Sequence, residues 1–247
     1  MKRINYKILI FLILGIVLAS CVYDNYSSPN KQFSGRIVYQ GEPVCVKNSS
    51  GHDINNAEVY FNLFESGWQK SNMPIRVVVN QDGSFSSLLF AANYQLIIPA
   101  GVGPFIASSD TTAITINNNS TMDIEVTPYY MVRNSNYTMA DSIVTATFKI
   151  EKIITDARAQ NIQQVGLYIN RLLTTDDSNN IAFTEIVGDS IADINNITMT
   201  AKMPDLSKLN LGISTDQKTI FARIGVKINN VNNMLYSPVQ EITIKYN

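Results

Sequence analysis

The sequence predicts an all-β protein of two consecutive β-sandwich domains, and three observations carry that reading. Short segments of alternating apolar and polar residues recur from residue 33 to the end of the chain, clusters of turn-forming residues separate them, and amphipathic helical patterns are scarce. Hydrophobic residues are 45% of the 247 and charged residues 16%, which suits a chain with a sizeable core and rules against disorder. The 19 basic and 20 acidic residues leave a formal charge of −1, with no footprint for a phosphate backbone, so no nucleic-acid partner is expected. One histidine and two cysteines are too few for a zinc cluster or a disulfide-dense scaffold. Neither a cofactor nor a metal is expected.

Residues 1–20 read as a signal peptide. Lys2, Arg3 and Lys7 precede an apolar run from Ile8 to Leu18, 11 residues that are too few to span a bilayer and the right number for a signal-peptide core. The run ends in Leu18-Ala19-Ser20-Cys21, which resembles a bacterial lipobox, with small residues before the thiol that is acylated. Cleavage there removes three of the 19 basic residues and no acid, leaving 16 against 20 and a net charge of −4. One acyl chain anchors only marginally, whereas several on Cys21 would hold the protein at a membrane without a transmembrane helix. Cys45 is then the remaining thiol, and Val44-Cys45-Val46 suggests a buried, strand-like setting.

Residues 21–32, with Ser27, Ser28 and Pro29, read as a tether. An N-terminal sandwich is expected over residues 33–128. Phe33–Tyr39 alternates, Gly41-Glu42-Pro43 turns, and Ala57–Phe64 runs apolar at period two. Ile75–Val79, then Asn80-Gln81-Asp82-Gly83, then Ser84-Phe85 read as a hairpin, because Asp-Gly tolerates the positive backbone angles of a tight turn. Tyr94–Ile98, Ala113–Ile116 and Met122–Val126 complete the set, and Gly101-Val102-Gly103-Pro104 reads as a turn.

A C-terminal sandwich is expected over residues 129–247. Ser142–Ile150, Val165–Ile169, Phe221–Ile228 and Val239–Ile244 alternate like strands, and Asn229–Asn233 separates Phe221–Ile228 from Met234-Leu235-Tyr236. The pattern looks like an immunoglobulin or fibronectin-type sandwich. Short helices are expected at Asp156–Gln164 and Pro204–Leu209.

Gly35-Arg36-Ile37-Val38, Gly41-Glu42-Pro43-Val44, Ala57-Glu58-Val59, Asp82-Gly83-Ser84-Phe85 and Ala92-Asn93-Tyr94-Gln95-Leu96 together resemble the carboxypeptidase-regulatory or transthyretin-like β-sandwich. Gly103-Pro104-Phe105 and Glu125-Val126-Thr127-Pro128-Tyr129, downstream of Cys21-Val22-Tyr23-Asp24-Asn25-Tyr26, resemble a Bacteroidetes lipoprotein family of unknown function. Its members are typically encoded beside SusC/SusD-like glycan-uptake proteins. The resemblance implies an outer-membrane, lipid-anchored protein facing the cell surface with SusC/SusD-like partners, and it transfers no catalytic residue.

Residues able to do chemistry are few. His52, in Ser50-Gly51-His52-Asp53, has no second imidazole, and neither HExxH nor GxSxG is present. Asp176-Asp177, in Thr174–Asn180, could be a solvated loop, a calcium ligand pair or a carboxylate pair, but it lacks the central Gly and terminal Glu of an EF-hand. A solvated loop is the expectation, and no enzyme activity is expected. Aromatic rings stack on sugar C–H faces while amides and acids bind hydroxyls, so Trp68, in Gly67-Trp68-Gln69-Lys70, and Tyr129, Tyr130 and Tyr137 at the domain junction are candidate glycan contacts. Core or interface packing is the alternative for all four. Asp110-Thr111-Thr112, Asp141-Ser142-Ile143 and Asp189-Ser190-Ile191 resemble the O-glycosylation signal of exported Bacteroidetes proteins, making Thr111, Ser142 and Ser190 candidates; ordinary strand-edge hydroxyls are the alternative. The functional expectation is a non-enzymatic accessory in glycan binding or polysaccharide utilisation. A structural or adhesive surface spacer is the alternative.

Overall fold

The structure is a computed structural model, and it describes residues 27–47, 59–67, 73–108, 110–205 and 219–244. Among these, nearly all regular structure is strand, with one 3-10 turn at Gly188–Ser190, and no helix is long and apolar enough to cross a membrane. Ten strands build the first unit: β1 (Lys31–Tyr39), β2 (Glu42–Pro43), β3 (Tyr60–Glu65), β4 (Ile75–Val78), β5 (Ser84–Leu89), β6 (Ala92–Ile97), β7 (Phe105–Ala107), β8 (Thr112–Ile116), β9 (Ser120–Thr121) and β10 (Ile124–Pro128). Eight build the second: β11 (Tyr130–Ala140), β12 (Ile143–Lys152), β13 (Ile162–Asn170), β14 (Ala182–Val187), β15 (Ile197–Lys202), β16 (Thr219–Ile228), β17 (Leu235–Tyr236) and β18 (Gln240–Thr243).

The N-terminal unit is a sandwich organised on β1. Antiparallel β5 and β2 and parallel β9 and β10 all pair with β1, and β7 pairs with β10. The facing sheet runs β4-β3-β6-β8, antiparallel throughout. Alternate residues point inward, so Phe33, Phe61 and Phe85 meet between the sheets, with Phe85 4.9 Å from Phe61 and 5.2 Å from Phe33 between ring centroids. The expected tether overlaps β1 by two residues, since Lys31 and Gln32 already pair with Leu89 and Leu88.

The Asp-Gly turn forms, but its flanking strands do not pair. Gly83 has φ +81°, Gly83 N–H donates to Asn80 O at 2.9 Å, and Asp82 accepts from the Ser84 backbone and hydroxyl. The chain then crosses between sheets, with β4 bound to β3 and β5 to β1. The reason is tertiary: Asn80 N–H donates to Ser84 O at 2.7 Å across the turn, but Ile37 N–H donates to Gly83 O at 2.8 Å and ties the outgoing strand to β1. A Cβ on Gly83 would stand 2.9 Å from Val44 O, which makes glycine obligatory at this approach.

In the C-terminal unit a sheet β11-β12-β15 faces a sheet β14-β13-β16, where β17 and β18 both pair with β16. This three-against-five arrangement is the expected immunoglobulin or fibronectin-type sandwich. The helix expected at Asp156–Gln164 is absent: Ala159 N–H closes a turn on Asp156 O, Arg158 grips the Asp156 carboxylate, and Ile162 already pairs with Ile228 in β13. Pro204 and Asp205 are not helical, and the rest of that expected helix lies outside the described residues.

One feature of the five-stranded sheet was not expected. Alternation predicts one buried face, yet β13 is buried continuously from Val165 to Asn170 and β16 from Ala222 to Val226. The inner face carries Leu167, Ile169, Ala222, Ile224 and Val226; the outer face carries Gly166, Tyr168, Arg223 and Gly225 and is covered by the N-terminal unit. Gly166 and Gly225 stand opposite each other, and the Tyr168 ring lies across both. A Cβ on Gly166 would fall 2.3 Å from Tyr168 Cζ and one on Gly225 2.8 Å from Cε2, so the glycine pair makes the bed for this ring.

Candidate functional site at the domain junction

Two features lie where the sandwiches join: a buried arginine that locks them and a groove lined by other residues of both domains. Arg223, 0% exposed, is carried to the interface by the outer face of β16. Its Nε donates to Ser237 O at 3.0 Å, Nη1 to Thr175 O at 3.4 Å, and Nη2 to Val46 O at 2.8 Å and Gln81 O at 2.9 Å. The guanidinium carbon stands 4.2 Å from the centre of the Tyr236 ring. Burial pulls the pKa of Arg223 below its ordinary value, yet an arginine so supplied with acceptors remains a cation at neutral pH. Val46 and Gln81 belong to the N-terminal unit and Thr175 and Ser237 to the C-terminal one, so one side chain closes hydrogen bonds across the junction.

The surrounding contacts continue the lock. Tyr236 N–H donates to Cys45 O at 3.0 Å, so Cys45 extends the edge of the five-stranded sheet, as its apolar flanks suggested. Burial pushes the Cys45 thiol up to about 11, which keeps it protonated and unreactive. Tyr236 also donates its hydroxyl to Asp177 Oδ1 at 2.6 Å, and Lys47 Nζ lies 2.9 Å from the same carboxylate. Burial opposes the charge on Asp177, but the Tyr236 and Lys47 contacts outweigh it and hold the carboxyl below its ordinary value.

The Thr174–Asn180 segment is only partly the solvated loop expected: Asp177 and Ser178 are exposed, but Thr175 and Asp176 are buried. Asp176 is 3% exposed and accepts from Ser178 N–H, Ser178 Oγ–H and Asn179 N–H at 2.8 to 2.9 Å, while Asp177 faces the N-terminal unit. Neighbouring acids here build an interface turn. Among the described residues no group of three or more His, Cys, Asp or Glu side chains stands close enough to hold a metal ion.

Elsewhere along the junction lies a groove of about 440 Å³. One wall is the Pro99–Gly103 turn with Ile97, Ile98 and Phe105–Ala107; the other is the Asn230-Val231-Asn232 turn; Tyr129 and Asp110 complete the lining. Positive φ at Gly101, Gly103 and Asn230 shapes both turns. Gly103 N–H donates to Asn233 Oδ1 at 2.7 Å across the junction, and Tyr129 N–H donates to Pro104 O at 3.2 Å. The groove thus offers an apolar wall, a half-buried phenol, a single carboxylate and two asparagines, of which Asn230 already donates through Nδ2 to Gln160 Oε1 at 3.0 Å.

Of the candidate glycan contacts, Tyr129 lines this groove. Tyr130 is 3% exposed and its hydroxyl donates to Gln160 O at 2.7 Å, so it is a core residue at the start of β11. Tyr137 is half-buried, and its hydroxyl shares a hydrogen bond with Ser237 Oγ at 3.1 Å, beside the Arg223 contacts. Burial raises both phenols above their ordinary values. Trp68, His52 and Cys21 lie outside the described residues. Thr111, Ser142 and Ser190 are all exposed, and Ser142 sits at φ +62° in the β11–β12 turn. Asp110, Asn230, Asn232 and Arg223 were not singled out beforehand. The asparagine-rich turn and an arginine on the otherwise apolar strand Phe221–Ile228 are the signals that could have marked them.

Fold and junction together define a class: two-domain β-sandwich proteins in which a β1-centred sandwich packs on the outer face of an immunoglobulin-like sheet. Residues 31–127 match the N-terminal domain of DUF3823, a protein family of unknown function, and residues 130–241 match its C-terminal domain, so the chain belongs to the DUF3823 family. It is similar to a DUF3823 family protein from Parabacteroides merdae, 28% identical, with a TM-score of 0.73 over 89% of this chain and 100% of that one. A DUF3823 family protein from Bacteroides ovatus is also 28% identical, with a TM-score of 0.73 over 87% and 100% of the two chains. A candidate carbohydrate binding protein from Bacteroides uniformis, 18% identical, shares the fold at a TM-score of 0.65 over 88% and 100%. No curated protein matches the sequence.

Two outcomes test the junction. Gln81 O keeps the Val46 N–H in Arg223→Ala, but the other buried carbonyls lose their arginine donor at ~1–3 kcal/mol each, so a loss of about 3 kcal/mol or more is expected in urea unfolding, with the two units melting separately. Arg223→Met, which keeps much of the apolar stem and none of the donors, should lose nearly as much; full retention would mean that packing alone holds the junction. The second outcome concerns pH. Because the folded pKa of Asp177 lies below its unfolded value, near 3.8, its stabilisation is complete above that value and vanishes as pH falls through the folded one. The stability gap between wild type and Asp177→Asn should be constant from about pH 5 to 8 and close in acid.

Proposed function

We propose that this protein is a lipid-anchored, non-enzymatic accessory of glycan uptake at the outer membrane, and that it binds a short glycan in the groove between its domains. The observation that carries the reading is the groove itself, whose 440 Å³ suits a small ligand and whose Tyr129, Asp110, Asn230 and Asn232 combine a stacking ring with hydroxyl-binding groups. Asp110 is the one carboxylate in its lining, whereas glycoside hydrolysis ordinarily needs two facing each other, which favours binding over cleavage. The candidate carbohydrate binding protein from Bacteroides uniformis, built on the same fold, points the same way. Anchoring rests on the ordered signal ending at Cys21, and SusC/SusD-like partners, cell-surface orientation and a carboxypeptidase-regulatory type of N-terminal domain rest on the family resemblance. The exposure of Thr111, Ser142 and Ser190 leaves all three open to O-glycosylation.

A structural or adhesive spacer is the second reading, and the interdomain lock with buried Tyr130 favours it. Calorimetric titration of a panel of neutral oligosaccharides separates the two. The glycan reading expects weak binding that Tyr129→Ala reduces about tenfold with an unchanged melting temperature. Binding lost in Trp68→Ala instead would move the contact to Trp68, and no binding by the wild type would leave the spacer.

Localisation is tested by fractionating cells that express the wild type or Cys21→Ala and weighing the intact protein. The wild type should stay with the membrane, carrying lipid and glycan mass, and the variant should be released. Equal retention of both would sink the anchor, and lipid as the sole added mass would sink the glycosylation.

A further inference from the structure

Strand β14 forms one edge of the five-stranded sheet, remote from the edge that Cys45 extends. It pairs with β13 in unbroken register from Gln164↔Val187 to Ile169↔Ala182, and among the described residues nothing pairs with its other side. Such an edge presents a row of backbone donors and acceptors to any extended chain. Edges are commonly guarded by bulges, prolines or lysines. Strand β11, at the edge of the opposite sheet, has a register shift between Arg133 and Asn136, with Asn134 at φ +53° and Arg133 bonded to Glu42 and Glu151. Strand β14, Ala182-Phe183-Thr184-Glu185-Ile186-Val187, has none of these guards.

Its solvent face is apolar instead. Phe183 is 58% exposed and Val187 62%, while the alternate residues Ala182 and Ile186 turn inward. Phe183 stacks on Tyr168 at 6.5 Å, and Glu185, between the two apolar positions, accepts the Tyr168 hydroxyl at 2.9 Å through Oε1. Phe183 and Glu185 are thus braced against Tyr168.

We propose that β14 is a strand-addition site for an extended segment of a partner protein, with a basic residue flanked at alternate positions by apolar ones. Cross-strand pairs set that pattern: apolar side chains opposite Phe183 and Val187 and a cation opposite Glu185. The same chemistry disfavours a second copy of this chain. The antiparallel register that sets Phe183 against Val187 of the other copy also sets Glu185 against Glu185, and neighbouring registers lose an apolar pair.

The test is amide hydrogen exchange on the full chain with two synthetic heptapeptides, acetyl-Thr-Val-Thr-Lys-Thr-Val-Thr-amide and its counterpart with Glu in place of Lys. The lysine peptide should slow exchange over residues 182–187 and bind about fivefold or more tightly than the glutamate peptide, the preference that one favourable against one repulsive cross-strand charge pair provides. Val187→Lys, a change at a surface side chain, should remove the protection without shifting the melting temperature. Protection by neither peptide, or equal protection by both, would overturn the proposal. Protection that rises with protein concentration in the absence of peptide and disappears in Val187→Lys would also overturn it, because the occupant would then be a second copy.

Discussion

Burying the Arg223 guanidinium requires that its donors be met, and carbonyl oxygens of four separate segments meet them. A guanidinium has fixed, planar donor directions, so those four segments must arrive in one arrangement for the charge to be tolerated away from water. The cation therefore specifies the angle and register at which the sandwiches dock. Tyr236 beneath it, the Cys45 backbone bridge and the Lys47–Asp177 pair all follow from that docking, and the groove is what remains between turns that the docking has already placed. A ligand entering a cleft held open in this way has little ordering to impose, so modest contacts can be enough for binding.

The double burial of β13 and β16 changes what their sequences mean. In an isolated sandwich the outer positions of these strands would face water, and Gly166, Tyr168, Arg223 and Gly225 would be an odd selection for it. Beneath a second domain the same set is coherent. Two glycines lower the sheet surface, one aromatic ring fills the hollow, and one cation reaches up to the neighbouring backbone. The domains are thus two sandwiches by connectivity and a single body by packing, with one contiguous apolar cluster running through both.

How far the fold was legible followed from length as well as alternation: the six-residue β15 alternates cleanly and was still missed. Ser142–Ile150 and Phe221–Ile228 are long, periodic and correctly placed by pattern alone. Strand β11 was missed because its bulge at Arg133–Asn136 breaks the period, and β14 because its exposed positions are apolar, the reverse of the usual edge. The Asp82-Gly83 turn was recognised, but partner choice is a tertiary matter and hydrogen bonds to β1 decided it. The site was less legible still. Tyr129 could be nominated as an aromatic at a junction, whereas Asp110, Asn230 and Asn232 become neighbours only after two domains meet. Nothing local in Asp176-Asp177 distinguishes an interface turn from a ligand loop.

The pairing of β1 with β9 and β10 also bears on the time at which the molecule can become a molecule. Ile37 lies beside Ile124, so the strand at the centre of the first sheet, partnered early by β2 and β5, gains its parallel flank only when the last strands of its domain exist. The lock is later still, because Val46 and Gln81 wait for Arg223, which is 177 residues beyond Val46. Contacts this distant in sequence slow folding, since loop entropy is lost before the contacts reward it. In a nascent or threaded chain the first sandwich has all its strands by residue 128, whereas the seam between the domains stays open until the C-terminal strands are free to join.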